Sequence, residues 1–309
     1  MTHDFVTYMQ SVTLTYIASG RYGTAHVYQS SLNALVAFLE TEQLPFDNLN
    51  PALLKAFENH LLSGGRSWNT VSTYLRMLRS VYNRAVSEGA APYIPQLFKY
   101  LYTGTRSEHK RALDRHEMAR LFRPRREGNL PTRLRQTLDI FLLMFLLRGI
   151  PFVDLVCMKR GNLKGHVLTY RRRKTDRLLS VSLTREATTI IRTYINKNKR
   201  SPYLFPFLQA KDGSAAAYRQ YQLALRRFNA SLNHLRTYTG TGLPPISSYT
   251  ARHTWATLAY HCEIHPGIIS EAMGHSSITV TETYLKPFGN KKIDHANQIV
   301  IAAVQRVMQ

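Results

Sequence analysis

Apolar residues recur at intervals of three and four through most of the first hundred residues, the spacing that lines one face of an α-helix. Residues 24–40 carry one such stripe, and two more follow it. Asn50 and Pro51 form a helix start, with proline at the first helical position. Asn69 is predicted to cap the next helix and Gly89 to stop it. Residues 1 to about 100 are therefore predicted to form a small helical bundle.

A polar, glycine-containing stretch follows the bundle and is interpreted as a linker. The predicted organisation is a helical domain at 1–102, a linker at 103–110 and a second domain at 111–309. Asp114 and Glu117 have capping-box spacing, which opens a helix at the start of the second domain.

The middle of the second domain contains short β-type runs, 167–170 and 178–181, on either side of a basic segment. They predict a hairpin or two strands of a sheet, and helical patterns resume from Thr184. The expected fold class is mainly α with a small β-sheet.

Charge indicates the partner. The chain has 41 Lys and Arg against 19 Asp and Glu, a net charge of +22. Such an excess favours a polyanion such as DNA or RNA as the binding partner, although a ribosomal or generally adhesive basic protein is the alternative.

Two cysteines, Cys157 and Cys262, are too few for a disulfide framework. No signal peptide and no apolar stretch long enough for a membrane span is found, so we expect a cytoplasmic location and no membrane partner.

Two local features of the sequence are also basic. One is a predicted helix face with Arg76 and Arg79, and the other is the run Arg171, Arg172 and Arg173. Basic faces are usually only solvated. Given the overall charge, we interpret these five arginines as contacts to a nucleic-acid backbone.

The segment 249–284 carries the most specific pattern. It contains Arg252, followed by His253-Thr254, then a Gly-His turn at His275, and Tyr284 nine residues later. Proline and glycine signals predict short helices joined by tight turns here. Such compact folding can bring Arg252, His275 and Tyr284 into one pocket.

This segment resembles the C-terminal signature of the tyrosine recombinase (phage integrase) family. An Arg-His-Thr helix, a Gly-His turn and a nucleophilic tyrosine follow one another there in the same order and spacing. Residues 1–100 resemble the family's helical, SAM-like core-binding domain, and about 111–309 its α+β catalytic domain. The resemblance implies a site-specific recombinase of the integrase or invertase type, nucleoid-associated, that cleaves and rejoins DNA through a 3′-phosphotyrosyl intermediate.

The residue types suit this chemistry. Tyr284 would attack phosphorus, Arg252 would hold phosphate oxygens with two parallel hydrogen bonds, and His275 would donate to another oxygen or manage protons. Lys174 lies in the predicted β turn, where the resemblance places the lysine that protonates the leaving 5′ oxygen. A single cation in a solvated run is the other interpretation of Lys174. No cofactor and no metal are expected.

Two positions depart from the family pattern. Pro151 stands where the first arginine is expected, and Arg148, three residues earlier, is proposed to replace it because i and i+3 share a helix face. A surface or helix-end role for Arg148 is equally compatible. Tyr249 stands where a histidine is common; it can hydrogen-bond a phosphate but cannot act as an imidazole base. Asp154 is interpreted as capping the following helix rather than orienting an arginine.

The resemblance also implies an assembly. Four copies would act on two DNA duplexes as a homotetramer, with an accessory DNA-bending protein as a further possible partner. The apolar C-terminal stretch, 299–307, is either a closing helix of its own domain or a helix that docks on a neighbouring protomer. Two other functions stay open: a catalytically impaired DNA-binding relative, and a type IB topoisomerase, which shares the chemistry.

Overall fold

The structure is a computed structural model that describes residues 4–106, 112–128, 130–240, 242–283, 285, 294, 297–299 and 301. Helices dominate, and the strands belong to one small antiparallel sheet, so the predicted fold class is confirmed. The chain divides into two compact units: Met1–Glu108 with Gly213–Tyr218, and His109–Asp212 with Arg219–Gln309.

The first unit is built on four helices: α1 (Phe5–Ala18), α2 (Tyr22–Leu39), α3 (Pro51–Ser63) and α4 (Trp68–Ser87). Their apolar stripes meet in one core, in which Phe5, Leu35, Phe57, Leu75 and Leu78 are fully buried. Helix α1 was not predicted. Its inward residues are aromatic and β-branched rather than a leucine stripe, so tertiary packing decides this helix.

Helix starts in this unit follow local side-chain chemistry. The Asn50 side chain accepts a hydrogen bond from the backbone N–H of Leu53, which confirms the predicted cap of α3. The predicted cap at Asn69 is wrong, because Ser67 caps α4 by accepting from the backbone N–H of Thr70. Asn69 instead exchanges two hydrogen bonds of 2.9 Å with the backbone of Arg106.

The second unit contains the remaining elements. Its helices are α5 (Arg115–Glu127), α6 (Thr132–Leu146), α7 (Phe152–Val156), α8 (Arg185–Tyr194), α9 (Ala215–Tyr238, whose first turn groups with the first unit), α10 (Ser248–His261), α11 (Pro266–Met273) and α12 (Ile278–Glu282). Asp114 and Glu117 form the predicted capping box at the start of α5.

The sheet has the order β1 (Leu163–Lys164), β2 (Val167–Arg171), β3 (Leu178–Ser182), and both pairings are antiparallel. Arg171 pairs with Leu178, so the basic segment forms the turn between β2 and β3, as predicted. The inner positions of this hairpin, Leu168, Tyr170 and Val181, are buried in the second unit's core. The hairpin is thereby fixed in place, which positions the turn at its end.

Helix α6 lies at the centre of that core, with Leu138, Phe141 and Met144 fully buried. It packs against α10, which carries the arginine of the C-terminal motif. Within the described ranges, no helix combines the length and apolar character that a bilayer crossing requires.

Candidate active site

Arg252, on α10, is among the largest fully buried side chains, with 1% of its surface exposed. Its guanidinium donates to the backbone carbonyls of Gly149 at 2.9 Å and Met273 at 2.8 Å. These contacts connect the turn after α6 with the end of α11. A buried arginine is costly unless its donors are bound, so these carbonyls fix the position of the guanidinium.

Gly149 makes this approach possible. Its φ is +68°, and a Cβ built there would lie 2.7 Å from the Cα of Arg252. Any side chain would therefore both strain the turn and displace α10 at the arginine. Position 149 therefore has a steric requirement for glycine.

Arg172 also contacts the end of α11, and it is buried with 4% exposure. It donates to the carbonyls of Met273 at 2.9 Å and Gly274 at 3.1 Å, and its Nε lies 3.6 Å from a carboxylate oxygen of Asp154. The structure thus places Arg172 in the interior, where it supports the site, and not on the surface where a phosphate contact was predicted.

Asp154 lies inside α7 and is buried, so the predicted role as a cap is wrong. Its carboxylate accepts from the backbone N–H of Arg173 at 3.0 Å and faces Arg172. Burial raises the pKa of the Asp154 carboxyl, while that N–H and the nearby arginines, Arg172 and Arg252 among them, act in the opposite direction. Asp154 connects α7 to the basic turn and orients Arg172.

His275 follows Gly274 and is buried, with 2% exposure. Its Nε2 lies 2.6 Å from an Arg252 guanidinium nitrogen, and its Nδ1 lies 2.8 Å from the Thr281 hydroxyl. Burial, followed by the positive charges of Arg252 and three further basic residues, lowers the pKa of His275 to about 3. The ring is therefore neutral at physiological pH, and Arg252 and His275 are in direct contact, as the sequence predicts.

Lys174 is exposed in the turn between β2 and β3. The neighbouring Thr175 donates from its hydroxyl to the Gly274 carbonyl at 3.0 Å, which ties this turn to the loop before His275. Lys174 is also among the charges that lower the pKa of His275. The turn therefore holds an exposed cationic side chain whose charge acts on the Arg252–His275 pair.

Arg148 does not lie on a helix, so the argument that it shares a helix face with Pro151 is wrong. Helix α6 ends at Leu146, Arg148 has a φ of +60°, and Pro151 precedes α7. Arg148 lines an open pocket of about 520 Å³ together with Arg177 and Glu271. The next residue, Gly149, accepts a hydrogen bond from Arg252, so the turn after α6, and not a helix face, places Arg148 at the edge of the site.

Two tyrosines remain. Tyr249 is 42% exposed on the first turn of α10, and its ring meets that of His253 edge to face. Tyr284, the predicted nucleophile, lies outside the described residues. Immediately after it, Leu285 is buried against α10 and α11, in a small cluster with Ile269 and Met273.

The other four arginines predicted to contact DNA are surface groups. Arg76 and Arg79 are exposed on α4. Arg171 is exposed and donates to the Asp176 carbonyl at 2.9 Å. Arg173 is exposed and forms a 2.9 Å ion pair with Asp212. All four are accessible to a phosphate backbone, although Arg173 would exchange its present partner for it.

Family models match almost the whole chain. The phage integrase SAM-like domain matches residues 4–100, and the phage integrase family matches residues 111–290. No curated protein matches significantly.

Solved structures share the fold at low identity. The Tn1549 transposon integrase, as residues 82–397 with a circular intermediate DNA, is 17% identical, with a TM-score of 0.68 over 96% of this chain and 99% of that one. The XerH site-specific recombinase bound to a palindromic difH substrate is 18% identical, with a TM-score of 0.64 over 89% and 79%. A lambda integrase dimer bound to a COC′ core site is 15% identical, with a TM-score of 0.63 over 91% and 77%.

The match to the second family model covers more than half of the chain, and the Arg-His-Thr helix and the Gly-His turn fall within it. The chain therefore belongs to the phage integrase family, the tyrosine-type site-specific DNA recombinases, as its C-terminal motif predicts.

Proposed function

We propose that Tyr284 is the nucleophile of this recombinase and that Arg252, His275 and Lys174 form its phosphate site. The observation that carries the proposal is the buried contact between Arg252 and His275. His275 also contacts Thr281, and it precedes Tyr284 by nine residues. The hairpin turn with Lys174 is tied to the same loop through the Thr175 hydroxyl.

In the proposed step, the Tyr284 hydroxyl gives up its proton to solvent as its oxygen attacks the scissile phosphorus, and the bond from phosphorus to the 5′ oxygen breaks. Lys174 delivers a proton to that oxygen, and the phosphate stays on Tyr284 as a 3′-phosphotyrosyl ester. A 5′-hydroxyl from a partner strand then attacks the same phosphorus and releases the tyrosine. Because one phosphodiester is exchanged for another, rejoining needs no energy source.

Negative charge grows on the non-bridging oxygens during each step, and fixed cationic donors stabilise it. Arg252 offers a guanidinium already held in place by the carbonyls of Gly149 and Met273. We propose Arg148 as the second cation, reaching the phosphate from the rim of the 520 Å³ pocket. Tyr249, exposed one turn before Arg252, is proposed to contact the phosphate as a hydrogen-bond donor.

Double-stranded DNA is the proposed substrate, and a net charge of +22 supports it. The similar integrases named above are described in complexes with DNA. Arg76 and Arg79 of the core-binding domain at 1–102, with Arg171 and Arg173 of the catalytic domain at 111–309, are proposed to grip the phosphate backbone. The linker between these domains is proposed at 103–110, and the complex would act on the cytoplasmic nucleoid.

Strand exchange between two sites requires several copies, and we propose a homotetramer on two duplexes, with an accessory DNA-bending protein. Ile299 and Ile301 are helical and exposed at 58% and 47%, an apolar surface suited to docking on a neighbouring protomer. Truncation after Asn290 tests the docking: we expect cleavage of single sites to persist and cooperative pairing of sites to fail. Unchanged pairing would contradict it.

A covalent trap tests the chemistry. DNA adducts recovered from producing cells by denaturation are sequenced to give the site, and a duplex nicked beside that site then serves as a suicide substrate. We expect wild-type protein and Tyr260→Phe to accumulate a covalent adduct and Tyr284→Phe to form none. An adduct that survives Tyr284→Phe moves the nucleophile to another tyrosine.

The same trap separates the alternatives. The missing first arginine at Pro151 favours a DNA-binding relative without catalysis, which would bind the site and form no adduct at all. A type IB topoisomerase would give adducts scattered over the genome and would relax supercoiled plasmid as a monomer. Adducts clustered at a defined site support the recombinase.

A further inference from the structure

The side chain of His275 is held from both edges of its ring. One edge meets the Arg252 guanidinium at 2.6 Å and the other meets the Thr281 hydroxyl at 2.8 Å. Both His275 and Thr281 are buried, with 2% and 0% exposure. In a buried site water cannot replace a lost hydrogen-bond partner, so these two contacts hold the ring in one orientation.

The chemistry of these partners fixes where the ring proton lies. A guanidinium donates and cannot accept, so Nε2 must accept from Arg252. In a neutral imidazole the other nitrogen then carries the proton, and Nδ1–H donates to the Thr281 oxygen.

The surroundings favour the neutral ring. The largest charge effects on it come from Arg252 on α10 and from Arg172, Lys174 and Arg177 of the β2–β3 hairpin, all of them basic. Each of these charges, together with burial, opposes protonation of His275.

Thr281 lies on α12, three residues before Tyr284. Its hydroxyl is the group that joins the ring of His275 to the segment carrying the proposed nucleophile. In this geometry the hydroxyl oxygen accepts from Nδ1–H, whereas a methyl group in the same space would remove that acceptor from the buried donor.

We propose that Thr281 is a positioning residue for strand cleavage: it holds His275 as the Nδ1–H tautomer and aims Nε2 at the Arg252 guanidinium, where the phosphate binds. This proposal rests on the recombinase chemistry proposed above for the same site. Thr281 itself does not touch the reacting atoms. Its effect passes through the orientation and the proton of His275, in the way that second partners orient histidine ligands at metal sites.

The test compares three variants. Thr281→Val has nearly the same shape and lacks the hydroxyl, Thr281→Ser keeps the hydroxyl, and Thr283→Val makes the same change at an exposed position two residues away. We expect the rate of covalent trapping to fall about tenfold or more in Thr281→Val, by analogy with partners of histidine ligands, and to stay within about twofold of wild type in the other two.

A second readout follows the ring itself. Nitrogen-15 NMR of the histidine side chains, at pH 7 without DNA, is expected to show His275 as the Nδ1–H tautomer in wild type and Thr281→Ser. In Thr281→Val the Nδ1–H loses the Thr281 acceptor, so we expect the ring to leave its contact with Arg252 part of the time and to show a mixture of tautomers. An Nε2–H tautomer in wild type, or a wild-type spectrum and trapping rate in Thr281→Val, would overturn the proposal.

The two readouts keep this proposal separate from the proposed function. If wild-type protein formed no adduct at all, the recombinase chemistry would fall while the NMR result on Thr281 remained interpretable. If wild type and Thr281→Val formed adducts equally fast, the recombinase would stand and the role of Thr281 would be excluded.

Discussion

The turn between α6 and α7 makes a quantitative prediction, because Gly149 approaches the backbone of Arg252 directly. We compare Gly149→Ala with Gly165→Ala, which lies in the turn between β1 and β2. Both glycines have positive φ, +68° and +59°, so an alanine at either position bears the cost of a left-handed residue, about 1–2 kcal/mol. The two positions differ in the space around the new methyl group.

At Gly165 no atom lies within 4 Å of the added Cβ. At Gly149 the Cα of Arg252 lies 2.7 Å away, well inside the 3.4 Å at which ordinary contact begins. Because that atom is backbone, the turn and α10 must move apart, and overpacking of this kind costs about 1–3 kcal/mol. We therefore expect Gly149→Ala to lower the free energy of unfolding by about 2–5 kcal/mol and Gly165→Ala by about 1–2 kcal/mol.

Urea unfolding measures the difference. The chain has two tryptophans, one in each unit, so Trp68→Phe leaves Trp255 to report on the second unit alone. The shift in midpoint at constant slope gives the change in free energy. Covalent trapping is measured on the same proteins, and Gly149→Ala should trap about tenfold to a hundredfold more slowly, since small displacements of a catalytic group are costly.

Gly165→Ala should trap at the wild-type rate once it is folded. Equal losses of stability in the two variants, with equal trapping, would refute the steric role of Gly149. A loss of stability in Gly149→Ala without any loss of trapping would separate the turn from the position of Arg252.

Three further predictions concern charge. The pKa of His275 is lowered to about 3 in the folded chain, so its contribution to stability is present above the unfolded value of 6.5 and is lost as pH falls toward 3. In urea titrations, the unfolding free energy of wild type should therefore fall by about 2 kcal/mol more than that of His275→Gln between pH 7 and pH 5. Equal losses in the two proteins would contradict this. Asp154→Asn should cost about 3 kcal/mol of unfolding free energy, because Arg172 keeps its buried charge and loses its carboxylate partner, and a cost below about 1 kcal/mol would show that the pair is dispensable. Arg76→Ala should reduce the salt dependence of DNA binding by about one unit in the log–log slope, measured by fluorescence anisotropy, and an unchanged slope would remove Arg76 from the phosphate contacts.

Local signals in the sequence were enough for several helix boundaries. The cap at Asn50, the capping box at Asp114 and the proline and glycine at the ends of α11 act on neighbouring backbone groups, so spacing alone reveals them. Ser67 and Asn69 are both residue types that cap helices, and they lie two positions apart. Ser67 is the cap of α4, because the Asn69 side chain instead bonds the backbone of Arg106. Sequence offers no sign of that long-range contact.

The site was predictable in its motif and not in its supporting contacts. The family pattern indicates Arg252 and His275, and the structure brings them together. The burial of Arg172 depends on the carbonyls of Met273 and Gly274, a hundred residues away in the chain. The prediction for Arg148 assumed that residues 148 and 151 share a helix face, whereas α6 ends at Leu146 and a left-handed turn follows.

Thr281 was missed for a related reason. A threonine in a short helix near a motif is ordinary, and six residues of spacing predict no contact with His275 on their own. The chain bends at Ser276 and Ser277 before α12 begins at Ile278, and this bend places Thr281 beside the ring.

The central claim is that the phenolic oxygen of residue 284 becomes bonded to DNA. Mass spectrometry of the trapped adduct after trypsin and nuclease digestion tests it most directly, because no Lys or Arg separates His253 from Leu285, and Tyr249 falls in a different peptide that ends at Arg252. We expect the nucleotide remnant on Tyr284, in the peptide that begins at His253. A remnant on the peptide that contains Tyr249, or on Tyr260, would contradict the account.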